Sequence, residues 1–271
     1  MKKIIGLLLC VTYFMIVFSQ DTQQPKFIPF EKDYDYVYSF SEEGLAAVGK
    51  NEKYGFIDKT GKEVIPCIYD DAYSFSEEGL AKVKNNGKYG FIDKTGKEIV
   101  PCIYDYVYPF FEEGLVVVKK DGKYGFIDKT GKEIIPCIYD EANSFSEEGL
   151  AIVWRNEKCG FIDKTGKEII PFVYDDAHSF FQEGLAIVWR NEKCGFIDKT
   201  GKEIVPCIYD GVNSFFQEGL AQVRRNEKCG FIDKTGKEII PCIYDNTEPF
   251  FYGIAFVVFD GKRGIINNPL R

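Results

Sequence analysis

The chain has 271 residues, of which 45% are hydrophobic, 16% aromatic and 28% charged, and its formal net charge is −8. That acidic balance argues against a basic face for nucleic-acid backbones. It leaves enough apolar material for a core and a surface charge that favours solubility.

Residues 1–20 read as a secretory signal. Lys2-Lys3 precedes an uncharged run from Ile4 to Phe18, and Ser19-Gln20 leads into polar residues. The run is shorter than the roughly 20 residues a membrane-spanning helix needs. Leu7-Leu8-Leu9-Cys10 is a poor lipidation signal, because Leu9 is too large and the apolar run continues past the cysteine. The expected location is therefore exported (periplasmic, cell-surface or secreted) without a lipid anchor and without a membrane span. A short polar linker, 21–26, follows, and a single repeat domain is expected over 27–271.

The repeat is explicit. Gly-Phe-Ile-Asp-Lys-Thr-Gly-Lys-Glu begins at Gly55, Gly90, Gly125, Gly160, Gly195 and Gly230, always 35 residues apart, and a decayed copy begins at Gly264. A Tyr-Asp pair ends at Asp35 and at each 35-residue step to Asp245. Such a period marks a stacked array.

Within one unit, three strands are expected: Leu80–Lys84, Lys88–Asp93 and Glu98–Tyr104. Asn86-Gly87 between the first two is a strong hairpin signal, because both residues tolerate positive φ. Asp93 to Gly96 has the form of a type I turn with a glycine bulge. Pro101 cannot donate to a ladder and so marks a bulge, an edge or a strand end. The connector, with Ala72 and Phe75 in the copy before, has room for a fourth short strand.

The fold class is thus all-β: a tandem array of seven ~35-residue antiparallel meander units. An open twisted solenoid is favoured, since 35 residues are few for a four-stranded blade. The alternative is a closed seven-bladed, propeller-like ring in which Phe27-Ile28-Pro29 completes the last unit.

These residues resemble the WG-repeat (KWG-repeat) family. The resemblance rests on Lys53-Tyr-Gly-Phe-Ile-Asp58, Gly61-Lys62, Pro66 and Tyr69-Asp70, and on the same pattern in later copies. It covers nearly all of the chain after the signal. The family's tryptophan is replaced by Tyr54, Tyr89 and Tyr124, then by Cys159, Cys194 and Cys229. The resemblance implies an exported bacterial repeat protein and no particular reaction.

Comparing the copies with one another adds detail. The hairpin register pairs Gly49 with Tyr54, Lys84 with Tyr89, Lys119 with Tyr124, Trp154 with Cys159, Trp189 with Cys194 and Arg224 with Cys229. The aromatic residue changes strand after the third copy, as direct cross-strand packing requires. A second register would set Tyr54 against Cys67 and Cys159 against Phe172. It would also bring Cys194 to Cys207 and Cys229 to Cys242, in reach of disulfides in an oxidising compartment. The other reading of these cysteines is small apolar filler.

No catalytic constellation emerges. His178, the single histidine, sits in a variable connector. Nearly every carboxylate recurs once per unit, whereas catalysis needs an asymmetric cluster. No metal site and no cofactor are expected. What remains is an aromatic series, Tyr54, Tyr89, Tyr124, Trp154 and Trp189. Its simpler role is packing between units. Its accessible edges support two functions: a non-catalytic scaffold for a protein or surface polymer, or a carbohydrate or cell-wall binding module.

Overall fold

A computed structural model describes residues 29–108, 114–180, 184–212 and 218–271. The expected signal, 1–20, and linker, 21–26, lie outside the described residues. Every regular element described is a β-strand, and no described helix is long and apolar enough to cross a membrane.

The strands form seven antiparallel sheets in succession, six of four strands and a last one of three. Sheet 2 is typical: Asp71–Ala72, Leu80–Asn85, Lys88–Asp93 and Glu98–Tyr104, each paired to the next. The connector thus does contribute a further strand, which leads each sheet: Tyr36–Phe40 in the first and two residues long in the others. The last sheet has Asn246–Thr247, Ile254–Phe259 and Lys262–Asn267 only. Among the described residues no strand joins its free edge and the sheets form an open array without a closed ring; Phe27 and Ile28 of the expected closing strand lie outside them.

The second and third strands meet in tight turns with both central residues at positive φ, such as Asn86 (50°) and Gly87 (77°). In four copies the second position is glutamate, as at Glu157 (62°) and Glu192 (61°). The turn between the third and fourth strands is held by its aspartate. Asp58 Oδ1 accepts from Thr60 N at 2.8 Å, Thr60 Oγ1 at 2.5 Å and Lys62 N at 3.1 Å.

The hairpin register is the one expected, from Gly49↔Tyr54 through Arg224↔Cys229. The second register differs. Tyr54 pairs with Tyr69, Cys159 with Tyr174, Cys194 with Tyr209 and Cys229 with Tyr244. Two bulges cause this. Phe56 faces Ile65 and Ile57 faces Glu63, so one extra residue precedes Ile65 and two more follow it, around Pro66. Proline cannot donate to the ladder, and the strand bows outward there.

Cores form between sheets rather than within them. Leu45, Ala47, Phe56, Ile65 and Tyr69 of the first sheet pack against Ala72, Phe75, Ala81, Val83 and Ile92 of the second. Phe56 meets Phe75 with ring centroids 4.9 Å apart, and Phe126–Phe145 and Phe231–Phe250 repeat the contact. A polar strap runs beside each core. Asp70 accepts Lys53 Nζ at 2.6 Å on one oxygen and Gly87 N, in the next sheet's hairpin turn, at 3.0 Å on the other. The same lysine–aspartate pair recurs in the five following copies, ending with Lys228 and Asp245.

Candidate functional site: one variable rung across the sheets

The pairings place one residue from each strand on a single line across each sheet. In the first sheet this rung is Tyr36–Gly49–Tyr54–Tyr69. In order, the next five are Asp71–Lys84–Tyr89–Tyr104, Tyr106–Lys119–Tyr124–Tyr139, Glu141–Trp154–Cys159–Tyr174, Asp176–Trp189–Cys194–Tyr209 and Gly211–Arg224–Cys229–Tyr244. The last, Asn246–Val258–Arg263, has no fourth member. Every aromatic residue singled out from sequence, Tyr54, Tyr89, Tyr124, Trp154 and Trp189, lies on this rung. Its first three positions change from copy to copy while the Gly-Phe-Ile-Asp turn region beside it does not.

Aromatic contacts flank this line, one of them between neighbouring sheets (Tyr89–Tyr106) and the others within a sheet. Tyr38 lies 6.4 Å from Tyr54, Tyr89 lies 6.3 Å from Tyr106, and Tyr106 lies 5.3 Å from Tyr108, by ring centroids. Two units on, His178 packs on Trp189 at 4.7 Å. The five aromatics are half-buried, while Cys159, Cys194 and Cys229 opposite or beside them are buried. Lys84 and Lys119 hold their ammonium groups over the rings of Tyr89 and Tyr124, at 5.1 Å and 4.8 Å. Cation–π attraction of this kind favours a half-covered ring.

One group beside this line escaped the sequence reading. Lys82 is only 7% exposed, at a position taken by Ala47, Val117 and Ile152 in other copies. Its ammonium nitrogen lies 3.9 Å from the Tyr73 ring centroid, 5.4 Å from that of Tyr89 and 5.8 Å from that of Tyr106. Burial pushes the Lys82 pKa down, and Asp71 opposes the shift. Burial, with a hydrogen bond to Asp71, pushes the Tyr73 phenol up to about 12. A lysine at an apolar position of Leu80-Ala81-Lys82-Val83 was the available signal.

Where the rung lacks bulk, the surface opens. At Gly211, Arg224 and Cys229 there is a cavity of about 360 Å³, also lined by Gln222 and Asn246. Gln222 is 3% exposed. Its Nε2 donates to Thr247 O at 2.8 Å and to Thr247 Oγ1 at 2.6 Å, whereas its Oε1 finds no donor among the described residues. A buried orphan acceptor costs about 1–3 kcal/mol, which a bound donor would recover.

For Cys194, Cys207, Cys229 and Cys242, the sequence leaves two readings, disulfides and small apolar filler. Cys194 and Cys229 face tyrosines, and Cys194, Cys207, Cys229 and Cys242 are all free thiols. Burial pushes the Cys159 thiol up to about 12 and the Cys194 thiol up to about 11. Phe172, expected to fill space beside Cys159, instead stacks on Tyr139 of the preceding sheet at 6.2 Å.

The pattern of the WG containing repeat matches residues 30–54, 54–89, 89–124, 124–159, 160–194, 195–229 and 230–262. The chain belongs to this family. Six of the WG-repeat matches end at Tyr54, Tyr89, Tyr124, Cys159, Cys194 or Cys229, the rung residue of the third strand. No curated protein matches the sequence. Solved structures similar to it include a crystal structure of the eukaryotic initiation factor, at 8% identity and TM-score 0.45, over 86% of this chain and 72% of that one. Another is the extracellular domain of the putative one component system BT4673 from B. thetaiotaomicron, at 14% identity and TM-score 0.32. It is matched over 87% of this chain but 41% of its own length. A third is Kluyveromyces lactis Hsv2p, at 6% identity and TM-score 0.38, over 73% and 74% of the two chains.

Proposed function

We propose that this WG-repeat protein is an exported, non-catalytic scaffold that binds a protein or surface polymer along the variable rung. One observation carries this reading. The near-identical units keep the Gly-Phe-Ile-Asp-Lys-Thr-Gly-Lys-Glu frame and vary at the rung, at the Lys82 position and at the connector position of Tyr73 and His178, which together present aromatic and charged groups beside the rung. A scaffold needs an invariant frame and a variable recognition surface, and this arrangement supplies both.

A carbohydrate or cell-wall module is the second reading, favoured by Trp154 and Trp189 in adjacent copies. Stacking on a sugar needs an open ring face, and here Lys84, Lys119 and His178 already lie against rings of the rung. That crowding favours a protein partner, which can use ring edges and the flanking charges. The cavity beside Gln222 offers a seat for a side chain that brings an N–H or O–H donor.

The deciding experiment is capture on bacterial surface material, run beside binding to purified cell-wall glycans. Protein capture weakened by Trp154→Ala with Trp189→Ala, with no glycan binding, supports the scaffold. Glycan binding lost in the same variant supports the second reading. Turnover of any substrate abolished by a single-copy substitution would sink both.

A further inference from the structure

The two ends of the array carry complementary halves of the junction that joins every internal pair of sheets. Residues 29–35 sit on the first sheet as the fourth strand of each sheet sits on the next. A Cβ on Gly61 would lie 3.1 Å from the Phe30 Cα, as one on Gly96 would lie 3.3 Å from Ile65 Cγ1, 35 residues along. Asp35 Oδ2 accepts Asn51 N at 2.8 Å, as Asp70 does Gly87 N. Yet Asp35 has no cation among the described residues, whereas the six later strap aspartates each hold a lysine.

The last sheet is missing the matching part. Lys262 occupies the position of Lys228 and has no carboxylate among the described residues. Gly264 occupies the position of Gly230, where an added Cβ would lie 2.5 Å from the Ile240 carbonyl oxygen, yet nothing lies within 4 Å of it. Ile265, in the place of the fully buried Phe56, is 61% exposed, and Phe40, in the place of Phe75, is 43% exposed. Among the described residues the chain does not cover this edge itself. After the last strand, Asn268 turns back, its N donating to Gly253 O at 2.8 Å and its Nδ2 to Glu218 O at 3.2 Å.

We propose that copies of this chain associate head to tail, the third strand of the last sheet, Lys262–Asn267, pairing with residues 29–35 of a second copy. The internal register specifies the contact: Arg263 opposite Tyr34, Ile265 opposite Phe30, Lys262 bonded to Asp35, and Phe40 packed on Ile265. The unpaired edge supplies backbone groups for the added strand, and charge complementarity fixes its register. Because the two surfaces are different, the contact is heterologous and builds open chains rather than closed dimers.

Sedimentation of the purified protein across a concentration series tests this. The expected result is a ladder of monomer multiples that lengthens with concentration. Lys262→Asp and Asp35→Lys should each weaken association at least tenfold, and the two together in one chain should restore it. Gly264→Val should abolish association while leaving the circular dichroism and melting temperature of the monomer unchanged. A protein that stays monomeric at every concentration overturns the proposal, and so does a compact monomer whose ends meet. Association that survives Gly264→Val and both single charge reversals overturns it as well.

Discussion

Gly55 lies directly beneath the carbonyl of Ile65: a Cβ placed on Gly55 would be 2.3 Å from that oxygen. The contact is where the fourth strand bows around Pro66, and it recurs at Gly90, Gly125, Gly160, Gly195 and Gly230, at 2.3 to 2.6 Å. The glycine of the repeat therefore answers to the proline across from it.

A methyl group at an internal member of this series should be costly. Gly125→Ala is expected to destabilise the array by about 1–3 kcal/mol, the usual range for overpacking. Gly264→Ala, facing open space, should stay within about 0.5 kcal/mol of the parent. Urea titrations of the two variants compare them directly.

The hairpin turns point the other way. Glu157 and Glu192 hold left-handed conformations that disfavour any side chain. Glu157→Gly and Glu192→Gly should each raise stability by about 0.5–1 kcal/mol, seen as a higher unfolding midpoint. An equal fall in both variants would show that the glutamate side chains make compensating contacts.

Acid should loosen the turns. The carboxyls of Asp58, Asp93, Asp128, Asp163 and Asp198 are held below the usual range, first by the threonine hydroxyl two residues on; burial opposes this, and backbone N–H groups and a nearby lysine add to the lowering. A depressed folded pKa stabilises above the unfolded value of about 3.9 and is lost as pH falls through the folded one. The melting temperature should therefore drop below about pH 4. Thr130→Val, which removes one such hydroxyl, should move the Asp128 titration upward, as read by carboxyl NMR.

Alkali should act through the buried thiols. Cys159 and Cys194 have folded pKa values raised by burial to about 12 and about 11. A raised acid pKa leaves stability intact below the unfolded thiol value, about 8.5, and reduces it as pH rises from there toward the folded values. In the native protein at pH 8, both thiols should resist iodoacetamide, and unfolding should release them. Rapid modification of native Cys194 would contradict its burial.

The frame was legible in the sequence because each piece is local. Asn86-Gly87, Asp93 to Gly96 and the 35-residue period each report short-range backbone chemistry, and the hairpin register followed from the aromatic exchange between Tyr124 and Trp154. The second register was not legible. It depends on how many residues bow out around Pro66, and only the approach of Ile65 to Gly55 fixes that number. The same error misplaced Cys207 relative to Cys194 and Phe172 relative to Cys159. Lys82 was missed because its cage draws rings from two sheets, and Gln222 because its free oxygen depends on Thr247, in the next sheet.

The lysine–aspartate strap has a consequence for how such a protein changes over generations. Both halves of each internal junction are supplied by the repeating units in the same chemical form. Excising or duplicating one 35-residue copy therefore rejoins Lys, Asp and turn N–H as before, with no new interface to be selected. Reach along the array becomes a quantity that recombination can adjust in single steps, and each step carries its own rung with it.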